Sequence, residues 1–165
     1  QGASALNKAA SRAIAGLLRQ GVKFCFLHIA GSRDFAEYQR FYQSEGLFGP
    51  AGRCLEYLED MGSAYRAAGL VISRAGAMTC LELLEFGRRS LLIPLAQATE
   101  AHQWANARYL EELGIAKILK EDDALEARLE EALKDELENA RALTPASMGR
   151  RPSLAQLVQD LLDRQ

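Results

Sequence analysis

Long hydrophobic runs are missing from this 165-residue chain, and with them any segment that could cross a membrane as a helix. No signal peptide opens the chain, so membrane contact is expected to come from elsewhere. Cysteine is scarce: Cys25, Cys54 and Cys80 form no Cys-X-X-Cys pair, and two of them fall in predicted strands as small apolar residues. Reduced thiols and a cytosolic setting are therefore expected. A formal charge of −2, with both signs interspersed until the acidic stretch from Glu111 to Glu138, leaves no footprint for nucleic acid. No Asp-X-Asp pair occurs to grip a divalent metal, and no Gly-X-Gly-X-X-Gly follows a strand, which weakens a dinucleotide reading. Internal repeats and low-complexity linkers are also missing, and the length suits one domain with 48% apolar residues to fill its core.

What is present is an alternation of helices and short strands. Leu6, Ala9, Ala10, Ala13, Ile14, Leu17 and Leu18 make a helical stripe over 5–18 that Gly21 closes. Val22 to Ile29 is nearly continuous in apolar residues and predicts a strand buried on both faces, with His28 near its end as a structural residue. Helices are further expected at 32–45, 61–68, 77–86 and 102–113, and strands at 53–58, 70–73, 91–94 and 116–119. This order implies a parallel α/β sheet with right-handed crossovers and helices on both faces. Residues 121–165 read as a helical tail, with helices at 124–134, 136–143 and 153–162 broken by Pro145, Gly149 and Pro152.

The most informative stretch is 73–113. Arg74 to Gly76 forms a turn leaving a strand, and Ala77 to Phe86 a helix stopped by Gly87, so a strand end faces a helix N-terminus. Such a junction offers unpaired N–H groups and the positive end of the helix dipole to an anion such as phosphate. Thr79 and Glu82 share a helix face three residues apart; the hydroxyl suits a phosphate oxygen, and the carboxylate can accept both hydroxyls of a ribose diol. The plainer reading, Thr79 as a cap and Glu82 as a solvated charge, stands beside it. Trp104 reads as a packing residue and Glu121-Asp122-Asp123 as a solvated helix start.

Several separated motifs fall in the order and approximate spacing of the MurG family. They are Gln1-Gly2-Ala3 with Leu6-Asn7, Tyr57-Leu58-Glu59-Asp60-Met61 with Ala64-Tyr65, Arg74-Ala75-Gly76-Ala77-Met78-Thr79 with Glu82, Pro94, and His102-Gln103 with Asn106-Ala107. The chain resembles that family over about residues 1–120. The family comprises bacterial transferases that add N-acetylglucosamine to the undecaprenyl-linked muramyl-pentapeptide of peptidoglycan.

The resemblance implies the C-terminal, donor-binding half of a two-domain GT-B enzyme, with Rossmann-like topology and UDP-N-acetylglucosamine as ligand. It implies that Leu58 meets the uracil through its main chain. Gly76, Ala77, Met78 and Thr79 would meet the diphosphate, Glu82 the ribose, and His102 and Gln103 the sugar, with Asn106 in support. Gln1 would lie near the phosphates or the acceptor. No cofactor and no metal are implied. The catalytic base, the lipid-linked acceptor and contact with the inner face of the cell membrane would belong to a missing N-terminal domain. The family's glycine loop begins after an apolar strand, whereas this chain begins at its Gln, so the first strand is expected to be missing and the chain to be cut from a longer polypeptide. Gln97 and Glu100-Ala101 stand where the family often carries His and an Asp pair. Two other readings remain open: the donor subunit of a split two-chain UDP-sugar transferase, and a non-catalytic nucleotide-binding module.

Overall fold

The alanine-rich stripe of Leu6, Ala9, Ala10, Ala13, Ile14 and Leu17 is the buried face of helix α1 (Ser4–Arg19) in the computed structural model, which describes residues 3–49, 52–95 and 101–139. Small side chains let this helix lie close to whatever it covers. There follow β1 (Phe26–Ile29), α2 (Phe35–Ser44), β2 (Gly52–Leu55), α3 (Met61–Ala67), β3 (Leu70–Ser73), α4 (Ala77–Phe86), β4 (Arg89–Leu92), α5 (Ala101–Glu112), β5 (Ala116–Ile118) and α6 (Leu125–Asn139). Both ends of α4 fall where glycine punctuates the sequence. Gly76 precedes it in extended conformation, and Gly87 at φ 57° ends it in the left-handed region. There the Gly87 N–H donates to the Leu84 carbonyl and the Arg88 N–H to that of Leu83.

All strand pairings are parallel, and the described strands form two separate sheets. β1 pairs with β2 from Phe26↔Gly52 to Ile29↔Leu55, while β4 lies between β3 and β5 with Leu70↔Arg89 and Ser90↔Ala116 in register. In the doubly wound order 3-2-1-4-5-6, these are the 3-2 and 4-5-6 portions. One apolar cluster underlies both. Leu70, Ile72, Leu91 and Ile93 join Phe26, Cys54 and Tyr42 beneath α1 and α6. The alternate residues Val71 and Leu92, with Ile118, turn to the opposite face and meet Leu83, Leu84, Ala107 and Leu110 of α4 and α5. Period-two alternation thus places helices on both faces of the sheet, as the α/β reading requires.

Several expectations need correction. The strands predicted over 53–58 and 91–94 are Gly52–Leu55 and Arg89–Leu92, each ending where its parallel ladder ends. The strand predicted over 22–29 is only Phe26–Ile29, and Leu27 is 44% exposed rather than buried. Among the described residues, helices α3, α4 and α5 cover the β3–β4–β5 side and none covers the matching face of β1; Cys25 lies outside the strand and is exposed. The helices expected at 124–134 and 136–143 are, as far as residue 139, one continuous helix. No glycine or proline interrupts it, and Glu136 pairs with Arg89 of β4 at 2.6 Å. The calls on Pro145, Gly149, Pro152 and the 153–162 helix lie outside the described residues.

Gly52 fixes how closely β1 and β2 approach. A Cβ there would lie 2.4 Å from the Phe26 ring and 2.5 Å from the Leu47 carbonyl oxygen. Gly52→Ala is therefore expected to destabilise by roughly 1–3 kcal/mol through overpacking. Urea unfolding measures this, and an unchanged midpoint would contradict the tight approach.

Candidate functional site

The turn from β3 into α4 is held from three sides. The Arg74 guanidinium donates to the Ile93 carbonyl at 3.1 Å and to the Glu121 carboxylate at 2.6 Å. This ion pair is more than four-fifths buried on both sides, so Glu121 is not the solvated charge its sequence position suggested. Asp122 does behave as a helix-start acid, accepting the Ala124 N–H and pairing with Arg128. From α5, the buried Asn106 donates its amide to the Ala75 carbonyl at 3.0 Å. These clamps fix the backbone that leads to Gly76.

Beyond the clamp, α4 starts without a side-chain cap. Ala77 and Met78 are exposed and Thr79 half-buried, so the first-turn N–H groups and the positive end of the dipole lie at the carboxyl edge of the sheet. Thr79 follows Gly76 by three residues and is not the cap. One turn on, Glu82 accepts a 2.9 Å hydrogen bond from the hydroxyl of Tyr65 on α3. Tyr65 is 5% exposed and stacks on Phe86 with ring centroids 5.5 Å apart. Burial, then the bond to Glu82 and its charge, push the Tyr65 phenol well above its ordinary range, so it stays a donor.

Leu58 lies half-buried in the connection from β2 to α3, two residues before Asp60, whose carboxylate accepts the Ser63 N–H and starts α3. Beside it Tyr57 stands 73% exposed, an open aromatic ring at the same edge as Met78. On α5, His102 is exposed, whereas the Gln103 side-chain oxygen accepts the Leu95 N–H at 3.3 Å. The Trp104 indole donates to the Leu95 carbonyl at 3.1 Å, a bonded packing role. Gln1, Gln97 and Glu100 lie outside the described residues. The connections carrying Leu58, Gly76 to Thr79 with Glu82, and His102 with Gln103 all follow strand ends, at the edge where open α/β sheets take ligands. Asn106 is buried under this edge as a clamp. Among the described residues, no group of three or more His, Cys, Asp or Glu is placed to hold a metal ion.

The family model described as "Glycosyltransferase family 28 C-terminal domain" matches residues 1–163. The chain belongs to this family. The match runs past residue 120, where the resemblance was expected to fade, and takes in α6. A relative from Idiomarina loihiensis, named UDP-N-acetylglucosamine--N-acetylmuramyl-(pentapeptide) pyrophosphoryl-undecaprenol N-acetylglucosamine transferase, is 36% identical over 163 residues, covering 98% of this chain and 44% of the relative. One of the same name from Hahella chejuensis is 41% identical over 136 residues, 81% of this chain and 36% of the relative. The crystal structure of Acinetobacter baumannii MurG superimposes with TM-score 0.74 at 30% identity, over all of this chain and 47% of that one. The chain thus spans less than half the length of these relatives.

Within this family 28 domain a second polar cluster ties α1 to the end of β1. Asn7, 6% exposed, donates through its amide nitrogen to the Ala30 carbonyl and to Asp34, each at 3.0 Å. Both partners only accept, so the Asn7 oxygen must face His28 Nε2 at 3.1 Å as an acceptor. His28 therefore carries its proton on Nε2, and Nδ1 accepts from the Tyr42 hydroxyl at 3.0 Å. Burial, opposed in part by Asp34, lowers the His28 pKa to about 4, so the ring is neutral. The Ser4 hydroxyl first, then Asn7 and Arg33, hold the Asp34 carboxyl below its ordinary range against the cost of burial. His28 is structural, as its position at a strand end suggested.

Sequence reasoning missed Tyr65, Arg74 with Glu121, and Tyr57 as members of this edge. The only signal for the first was its place in the Ala64-Tyr65 motif, which says nothing of Glu82.

Proposed function

We propose that the chain is the donor-binding half of an inverting glycosyltransferase, taking UDP-N-acetylglucosamine and adding N-acetylglucosamine to an undecaprenyl-diphosphate-linked muramyl-pentapeptide. The observation that carries this is the uncapped start of α4 with Glu82 one turn along it, at the strand-end edge that the Leu58 connection and the start of α5 also follow. Backbone donors of Gly76 to Thr79 and the dipole neutralise the diphosphate as UDP leaves, a task that elsewhere falls to a metal. Glu82 accepts the ribose hydroxyls, the Leu58 main chain meets the uracil, and His102 and Gln103 approach the sugar hydroxyls. An acceptor hydroxyl, deprotonated by a base in an N-terminal acceptor domain, displaces UDP from the anomeric carbon. That domain also meets the lipid carrier at the cytoplasmic face of the membrane. Among the described residues no helix is long and apolar enough to cross a membrane.

Titration calorimetry on the full-length protein tests the assignment. UDP is expected to bind without Mg²⁺. Glu82→Ala should weaken UDP and UDP-N-acetylglucosamine alike, by roughly 1.5–3 kcal/mol for hydrogen bonds to a charged group. Gln103→Ala should spare UDP and weaken the UDP-sugar by on the order of 1 kcal/mol. Binding of NADH in place of UDP, or equal losses of UDP affinity in the two variants, would refute the reading.

A further inference from the structure

We propose that Tyr65 is a positioning residue that aims the Glu82 carboxylate at the ribose diol of the donor; this rests on reading Glu82 as the ribose-holding group. A glutamate carries three rotatable side-chain bonds, and ordering them on ligand binding costs affinity. At Glu82 part of that ordering is already in place. The Tyr65 ring is fixed by burial and by its stack on Phe86, and its hydroxyl donates to Oε2 of Glu82 at 2.9 Å. A phenol has only two side-chain torsions, so it holds the carboxylate at little entropic cost.

The geometry also leaves the carboxylate enough capacity. An ionised carboxylate accepts about four hydrogen bonds; Tyr65 takes one on Oε2, leaving Oε1 and the second lone pair of Oε2 for two vicinal hydroxyls. Because its phenol stays protonated, Tyr65 remains a donor to the carboxylate and places no second negative charge beside it. Tyr65 lies on α3, which directly follows the Leu58 connection, and Glu82 on α4, whose start faces the diphosphate. The one hydrogen bond therefore also ties the base-binding connection to the phosphate-binding helix.

Tyr65→Phe tests this, since it keeps the ring, its burial and its stack while removing only the donor. In the full-length protein, calorimetry with UDP and with 2′-deoxy-UDP measures how strongly the diol is recognised. Tyr65→Phe is expected to weaken UDP roughly three- to tenfold, to weaken 2′-deoxy-UDP much less, and so to shrink the preference for ribose. In a Glu82→Ala background the same substitution should change neither affinity. A merely structural Tyr65 would weaken both nucleotides by one factor in both backgrounds, and that result overturns the proposal. If Glu82→Ala abolishes the preference for ribose while Tyr65→Phe leaves it intact, the positioning role fails and the ribose assignment stands. If Glu82→Ala leaves the preference intact, the ribose assignment fails and the positioning role falls with it. Urea midpoints of each variant report on folding. Should Tyr65→Phe unfold, Glu82→Asp supplies the contrast: it keeps the charge but is one methylene shorter and gives up the Tyr65 contact, and an undiminished ribose preference in it overturns the proposal.

Discussion

Backbone amides of Leu27, Ile29 and Ile72 are expected to exchange with solvent on the order of a thousandfold more slowly in the full-length protein than in residues 1–165 alone. The Ala30 N–H donates to Leu55 across the β1–β2 pair, and strand groups alternate in direction, so the amides of Leu27 and Ile29 point away from β2. By the same rule, the Ser73 carbonyl accepts from Ile93 of β4, so the Ile72 amide points away from β4. These are edges rich in apolar residues, in two sheets that share the cluster beneath α1 but, among the described residues, no strand pairing. We propose that a strand from preceding residues enters between them and completes the 3-2-1-4-5-6 order. A four-residue strand inserted between two parallel neighbours makes about eight hydrogen bonds, and at a net value near 0.5 kcal/mol each that is about 4 kcal/mol before any apolar burial. Hydrogen exchange read by mass spectrometry or NMR compares the two polypeptides directly. Equal exchange at these three amides would remove the case for an inserted strand.

Local features of this fold were legible in the sequence; pairings between distant residues were not. Helix α4 could be bounded to the residue because Gly76 and Gly87 mark its ends, and its capacity for an anion is a property of backbone that no partner need supply. The strand over 22–29 was read too long for a related reason. Val22 and Phe24 are apolar because they pack on the cluster under α1 from a loop, and composition alone does not separate that from a ladder. Glu121 looked like one more acid at a helix start because its partner Arg74 lies 47 residues earlier, and only the folded sheet brings them together. Asn106 and Gln103 were placed on the right helix. Their amides meet the backbone at Ala75 and Leu95, and helical periodicity tells which face a residue occupies, not which neighbour it meets.

Acid should unfold the protein in a window set by His28. The groups facing its ring are Tyr42 and Tyr38 of α2, Asn7 of α1, and the Asp34 carboxylate just before α2. Only Asp34 favours a charged imidazole, and burial outweighs it, holding the folded pKa at about 4 against 6.5 for the free side chain. The unfolded chain therefore binds a proton between these values and the folded one does not, so stability must fall as pH falls. His28 contributes fully above pH 6.5, and that contribution drops by about 2 kcal/mol at pH 5 and about 3 kcal/mol at pH 4. Protonation would also force the hydroxyl of Tyr42, a fully buried side chain, to stop donating to Nδ1. The depressed carboxyl pKa of Asp34 places its own loss at lower pH, from its unfolded value of 3.8 downward, so the two contributions separate. Urea unfolding between pH 7 and pH 4 reads the slope, and His28→Gln, which keeps an amide acceptor and donor but no titrating group, should flatten it. A variant whose stability falls as steeply as that of the parent protein over this range would show that the acid sensitivity arises elsewhere.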